Sequence, residues 1–161
     1  MTDQTSAESR VKELGIKLPA PPTPVAAYVP ARHVGGLLFV SGQIPIADGT
    51  LLATGRVPDQ VGEELARACA RQCALNGLAV VKAALGSLDR VKSVVRVGCF
   101  VASEPGFGGQ PGIANAASEL LVEVFGDVGR HARAAIGAAS LPLNVPVEIE
   151  FVFEVDAVAG E

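Results

Sequence analysis

The sequence predicts an α+β fold in which helices pack on one face of a mixed β-sheet. Segments of strand character outnumber helical ones and follow one another in pairs, which is atypical of a doubly wound parallel sheet. The 161 residues suffice for one hydrophobic core and leave little room for two. Apolar residues make up 49% of the chain and charged residues 19%, so an isolated chain would expose much apolar surface. We therefore expect a homo-oligomer.

The N-terminal segment predicts a short helix followed by an extended arm. Thr5 and Glu8 have the spacing of a capping box, and apolar residues then recur at helical spacing. The proline-rich stretch LPAPPTP loses amide donors and has fixed φ angles, which favours an extended conformation. We divide the chain into residues 1–25, the helix and arm, and residues 26–156, the main domain.

The next segment predicts two hairpins. Residues 28–34 and 37–42 are rich in strand formers and flank the Gly35-Gly36 pair. Asp48-Gly49 suits a tight hairpin turn, and a further strand is expected at residues 50–54.

The remaining elements follow from periodicity. Residues 61–85 hold a helical pattern without an internal proline, and residues 90–102 read as a long strand rich in β-branched residues. Pro111 suits the first turn of a second helix. Two final strands are expected at about residues 133–140 and 146–156.

The composition of the chain favours some classes of binding partner over others. A net charge of −4 and the absence of tryptophan offer neither a basic field nor a stacking platform for nucleic acid, so we expect a small-molecule ligand. No apolar run reaches the length of a membrane helix, which argues against a membrane partner. The first residues lack the basic start and apolar core of an export signal, so we expect a cytoplasmic location.

The cysteines and histidines do not predict a metal site. Cys69 and Cys73 fall on one helical face, but thiolate metal sites need three or four ligands and neither histidine is near in sequence. An odd number of cysteines without an export signal indicates reduced thiols, which we expect in the core. We expect no metal.

Arg133 is the main candidate for a functional residue. It is the single charged residue between positions 132 and 147. Its planar guanidinium matches a carboxylate or phosphate with two parallel hydrogen bonds. Two interpretations are open at this point: an anchor for an anionic ligand, or a salt bridge to an internal acid such as Glu148 or Glu150.

Glu148 and Glu150 lie on one face of the last strand, VEIEFVFEV. A strand with one face toward solvent would show the same alternation. The functional alternative is that one of these carboxylates holds a water molecule for attack or proton transfer.

Two motifs carry a family resemblance. SGQIP at residues 41–45, together with ARAAIGAASLPLNVPVEIE at residues 132–150, resembles the Rid family of reactive-intermediate deaminases, also called the YjgF family and formerly endoribonuclease L-PSP. The resemblance covers about residues 28–155. The first helix and the proline arm lie outside it and look like the N-terminal extension of a longer subgroup.

The resemblance implies a chorismate-mutase-like fold with two main helices on one sheet face, assembled as a homotrimer with ligand sites in the clefts between subunits. It implies that Arg133 clamps the substrate carboxylate and that Glu148 positions the water that attacks an imine carbon. The other site residues it implies are Tyr28, Ser41, Gly42 and Asn115.

The function so implied is hydrolytic deamination, without a cofactor, of imine or enamine intermediates of amino-acid metabolism to 2-keto acids and ammonia. Two positions depart from the family pattern: Ala135 replaces a frequent cysteine, and His131 replaces a usual proline. A non-catalytic module that binds small carboxylate metabolites is the alternative. Ribonuclease activity is a third possibility, which the acidic net charge disfavours.

Overall fold

The structure is a computed structural model and describes residues 6–23 and 27–157. Its helices are α1 (Ala7–Glu13), α2 (Glu63–Leu85) and α3 (Gln110–Phe125). Its strands are β1 (Ala31–Val34), β2 (Leu37–Gln43), β3 (Ile46–Ala47), β4 (Thr50–Leu51), β5 (Val91–Ala102), β6 (Ala132–Ala138) and β7 (Val147–Val155). Short 3₁₀ turns occupy Leu88–Arg90, Gly126–Gly129 and Pro142–Asn144.

Five strands form one mixed sheet in the order β1-β2-β7-β5-β6. The neighbours are antiparallel except β5 and β6, which run parallel. α3 makes the crossover between these two parallel strands, and α2 packs on β2 and β7. The predicted α+β fold with a mixed sheet is confirmed.

The hydrophobic core lies between the sheet and the two long helices. Odd-numbered residues of β7, from Val147 to Val155, are buried, while the even-numbered acids point to the other face. Gly77 brings α2 close to this strand, because a Cβ at that position would lie 2.7 Å from the Phe151 ring. The alternation in VEIEFVFEV thus reflects a strand with one packed face.

α1 belongs to the same core, since Ala7 and Val11 are buried in it. The expected capping box is wrong in detail. Ser6 is the N-cap, and Glu8 accepts hydrogen bonds from Lys82 Nζ at 2.7 Å and the Leu88 amide at 3.0 Å instead of reaching back to the cap. Thr5, like the predicted domain boundary at residues 25 and 26, lies outside the described residues.

Among the described residues, the sheet face opposite the helices carries exposed apolar side chains. Phe39 on β2 is 45% exposed and Ile136 on the edge strand β6 is 51% exposed, and both point to this face. Large apolar side chains exposed on a sheet face are typical of surfaces that other chains cover. In the part of the chain that the structure describes, no helix has the length and apolar character needed to cross a membrane.

Candidate functional site

Arg133 lies on the edge strand β6, and its side chain extends toward α3. Its Nη1 donates to Asn115 Oδ1 at 2.9 Å and to Ser118 Oγ at 3.1 Å. Its Nη2 donates to the carbonyl oxygen of Pro111 at 3.4 Å. All three acceptors are neutral and belong to α3, so the helix holds the guanidinium without neutralising its charge.

Two N–H donors of Arg133 remain available. A guanidinium has five such donors, and α3 accepts three of them. The Nε–H and the second Nη2–H have no acceptor among the residues that the structure describes. A guanidinium presents its Nε–H and one Nη2–H on the same edge, where a carboxylate can accept from both at once. Arg133 is exposed, so its side chain is accessible to a ligand.

The salt bridge from Arg133 to an internal acid, which the sequence left open, does not form within residues 6–23 and 27–157. Glu150 pairs instead with Arg96, whose Nη1 lies 3.1 Å from Glu150 Oε1. Glu148 lies two strands from Arg133. The charge of Arg133 is thus left for another partner.

Glu148 is half-buried on the sheet face opposite the helices. A Cβ built on Gly42 would lie 3.0 Å from Glu148 Cδ and closer still to Oε1, so the carboxylate occupies the place that a side chain at Gly42 would take. Burial raises the pKa of Glu148 above its ordinary value, and the charge of Glu150 acts in the same direction. A carboxylate with a raised pKa is a stronger base near neutral pH.

Ser41 and Tyr28 lie close to Gly42. Ser41 Oγ donates to the carbonyl oxygen of Val29 at 2.7 Å, and the Ser41 amide donates to that of Pro30 at 2.9 Å, which ties the segment after the arm to β2. Tyr28, Ser41 and Gly42 all line a cavity of about 590 Å³. Its apolar lining includes Pro19, Pro22, Ile44, Ile46 and Leu143.

The predicted site residues form two groups that do not meet within one chain. Arg133 and Asn115 lie on the helical side of the sheet edge, and Glu148 lies with the residues around Gly42 on the other side. Arg133 is level with Phe151, because both pair with Val97. Glu148 is therefore about 10 Å from Arg133 across the strands and about 10 Å along them.

Ser118 and the role of His131 were not predicted from the sequence. Ser118 lies one helical turn after Asn115, and this i, i+3 spacing places both side chains on the face of α3 that meets Arg133. His131 is half-buried, and its Nε2 lies 2.9 Å from Ser118 Oγ. The spacing on α3 was a usable signal, whereas the contact with His131 depends on the tertiary structure.

Ala135, where the resemblance implies a frequent cysteine, pairs in register with Cys99 of β5. Cys99 is buried, and burial raises the pKa of its thiol to about 12, against the opposing effect of Arg133. A thiol in this state is not a nucleophile near neutral pH. Cys99 is therefore not a reactive group near neutral pH.

The other thiols are structural as well. Cys69 and Cys73 are free and buried, which confirms the prediction of reduced core thiols. In the described ranges, no group of three or more histidine, cysteine, aspartate or glutamate side chains is placed to hold a metal ion.

Residues 8–155 match the family described as YjgF/chorismate mutase-like, putative endoribonuclease. The chain belongs to this YjgF family. The family resemblance inferred from the two sequence motifs is thereby confirmed. The matched region begins inside α1, so it extends further toward the N-terminus than the resemblance over residues 28–155.

Relatives of the chain within the YjgF family carry several names. The protein TCP17 of Trypanosoma cruzi is 44% identical over 149 residues, which cover 92% of this chain and 93% of TCP17. A protein of Dermatophagoides farinae named 2-iminobutanoate/2-iminopropanoate deaminase is 31% identical over 142 residues, which cover 88% of this chain and 95% of that protein. A crystal structure of an Agrobacterium tumefaciens protein of unknown function superposes with a TM-score of 0.87 at 47% identity, covering 93% of this chain and 92% of that one.

Proposed function

We propose that this protein hydrolyses imine or enamine intermediates of amino-acid metabolism to 2-keto acids and ammonia without a cofactor. The observation that carries the proposal is the arrangement of Arg133, which α3 fixes by three hydrogen bonds while two N–H donors stay available. An imine derived from a 2-amino acid has a carboxylate beside its electrophilic carbon. Anchoring the carboxylate on Arg133 would orient that carbon for attack.

Glu148 supplies the base in this proposal. Its raised pKa suits a carboxylate that takes a proton from water as the water oxygen bonds to the imine carbon. The imine enters with its nitrogen already protonated, so the addition gives a neutral tetrahedral carbinolamine. Glu148 then gives its proton to the nitrogen and takes the hydroxyl proton as the C–N bond breaks and the C=O bond forms. Ammonia and the 2-keto acid leave, and the proton on Glu148 passes to solvent.

A complete site requires a second copy of the chain. Arg133 and Glu148 are separated within one chain: Arg133 lies on the edge strand β6, and Glu148 lies on the central strand β7, on the sheet face where Phe39 and Ile136 are exposed. We propose a homotrimer in which Arg133 and Asn115 of one subunit face Glu148, Gly42, Ser41 and Tyr28 of the next. The exposed side chains of Phe39 and Ile136 support such burial between subunits.

The first experiment measures ammonia release from 2-iminopropanoate, generated in situ by an amino-acid oxidase. We expect the protein to accelerate release above the spontaneous rate and Arg133→Ala to abolish the acceleration. The melting temperature of Arg133→Ala should stay close to that of the parent, because Arg133 is exposed and its partners are neutral. Arg130→Ala is the control, since Arg130 is an exposed arginine three residues earlier. An intact trimer without acceleration would contradict the proposal.

A second experiment tests whether the site is shared. Arg133→Ala and Glu148→Gln subunits, each inactive alone, are mixed in equal amounts and reassembled. If the two residues act from different subunits of a cyclic trimer, every mixed trimer regains one intact site, and about one quarter of the parent activity returns. If both residues act within one chain, the mixed trimers regain no activity. An absence of regained activity would therefore contradict the shared cleft.

The alternative is a non-catalytic module that binds small carboxylates, which the alanine at position 135 favours. Calorimetry with pyruvate separates the two functions. Pyruvate binding that is lost in Arg133→Ala, without any turnover of the imine, would support the binding module and exclude the deaminase.

A further inference from the structure

The ring of His131 is bonded at both of its nitrogens. Nδ1 lies 2.6 Å from the carbonyl oxygen of Gly129, and Nε2 lies 2.9 Å from Ser118 Oγ. Gly129 is buried against α3, where a Cβ would lie 3.0 Å from Val122 Cα, so its carbonyl oxygen has a fixed position. The histidine therefore links the turn before β6 to the helix that holds Arg133.

The direction of each hydrogen bond between Gly129, His131 and Ser118 follows from which atoms can donate and which can only accept. The Gly129 carbonyl can only accept, so Nδ1 of His131 carries the hydrogen. Burial lowers the pKa of His131, the hydrogen bond to Gly129 opposes this effect, and Arg133 acts with burial, so the net lowering of the pKa favours the neutral ring. Nε2 of the neutral ring can then only accept, and the Ser118 hydroxyl must donate to it.

This order leaves the lone pairs of Ser118 Oγ for Arg133 Nη1, which can only donate. Without an acceptor at position 131, the hydroxyl hydrogen of Ser118 could turn toward Nη1 and oppose its donor. The contact at 3.1 Å would then weaken, and Nη1 would keep only Asn115 as a side-chain acceptor.

We infer that His131 is a positioning residue, which acts through Ser118 to hold the Arg133 guanidinium so that its Nε–Nη2 edge faces the ligand carboxylate. This inference rests on the proposed function for its consequence in catalysis. His131 does not touch the substrate in this role. Its effect is to keep the anchor in one orientation.

Nuclear magnetic resonance tests the geometry without any activity. The ¹⁵N shifts of His131 should show the hydrogen on Nδ1, and the opposite tautomer would overturn the inference. Rotation about the Nε–Cζ bond of Arg133 should be slow in the parent protein and faster in His131→Leu. An unchanged rotation rate would also overturn it, whatever the fate of the proposed deaminase activity.

Kinetics test the consequence for the ligand. In His131→Leu we expect the KM for 2-iminopropanoate to rise about three- to tenfold, the loss expected for one hydrogen bond, with kcat nearly unchanged. His131→Gln should recover most of the loss, because its Oε1 can accept from Ser118. A lowered melting temperature with an unchanged KM would instead indicate a purely structural histidine.

A double-mutant cycle tests whether His131 acts through Ser118. Ser118→Ala should raise KM by a similar factor, and adding His131→Leu to Ser118→Ala should change it no further. Additive effects of the two substitutions would contradict the inference. If the parent protein has no turnover, the same cycle is measured as pyruvate affinity. An absence of pyruvate binding would contradict the proposed function. The nuclear magnetic resonance test would still decide whether His131 orients Arg133.

Discussion

The carboxylate of Glu148 lies directly against the backbone of Gly42, in space that a Cβ would occupy. The contact joins β7 to β2 at the place where the register between the two strands shifts, between Val40 and Gln43. It gives a specific reason for glycine at position 42, namely the position of the proposed base.

Gly42→Ala should therefore displace the Glu148 carboxylate and lower kcat without unfolding the protein. Loss of a well-placed general base costs about a hundredfold or more, and a displaced one should cost at least about tenfold. The rate of ammonia release from 2-iminopropanoate measures the effect. Gly36→Ala is the matched control, because its Cβ would lie at an ordinary 3.6 Å from the Val155 carbonyl oxygen. Equal rates for the two variants would refute this role of Gly42.

Glu148→Gln should lower kcat about a hundredfold or more and at the same time stabilise the protein at neutral pH. The pKa of Glu148 is raised in the folded state, so the ionised group lowers stability once the pH exceeds its unfolded pKa. Glutamine removes that cost. The melting temperature of Glu148→Gln should exceed that of the parent at pH 7, and the difference should vanish below about pH 4, near the ordinary glutamate pKa. A lower melting temperature at pH 7 would contradict the burial argument.

Glu150→Gln should shift the acidic limb of the pH–rate profile to lower pH. The charge of Glu150 helps to raise the pKa of Glu148, and its removal also releases Arg96, whose positive charge favours the ionised form. The proposed base would then stay deprotonated at lower pH. Profiles of kcat/KM against pH measure the shift, with Glu154→Gln, further along the same strand face, as the control. A shift to higher pH, or equal shifts in both variants, would be incompatible with this electrostatic role.

The fold was largely predictable because its elements carry local signals. The alternation in β7 predicted a strand with one packed face, and the proline-free period of α2 predicted a long helix that ends before Gly86. The hairpin turn at Asp48-Gly49 was equally predictable from the sequence, and both residues adopt the positive φ angles that such a turn requires. The cap of α1 was misplaced because Thr5 and Ser6 are both suitable cap residues, and the sequence alone does not decide between neighbours.

The site was predictable only in part, because its contacts join distant segments. Arg133 stood out through its isolation in a neutral segment, but its partners come from α3, which the crossover between β5 and β6 places beside it. The contact of Glu148 with Gly42 depends on the pairing of β7 with β2. Neither strand order nor register follows from local propensity.

The pairing of Arg133 with Asn115 makes a last prediction about charge. Asn115→Asp would place a carboxylate at the 2.9 Å position beside Nη1, where it would neutralise the guanidinium and repel the ligand's own carboxylate. We expect KM for 2-iminopropanoate, or Kd for pyruvate, to rise about tenfold or more, while Asn115→Ala costs less because it removes one neutral acceptor and adds no charge.

The Asn115→Asp variant should also be at least as stable as the parent, because it gains an ion pair with Arg133. Asn144→Asp, which adds the same charge at an exposed residue in a turn, controls for the change in net charge. Weak ligand binding together with retained stability separates an anchor for an external carboxylate from an arginine that serves the fold alone, since a fold-serving arginine would be improved by the new acid. Unchanged KM and Kd in Asn115→Asp would mean that the ligand does not use the charge of Arg133.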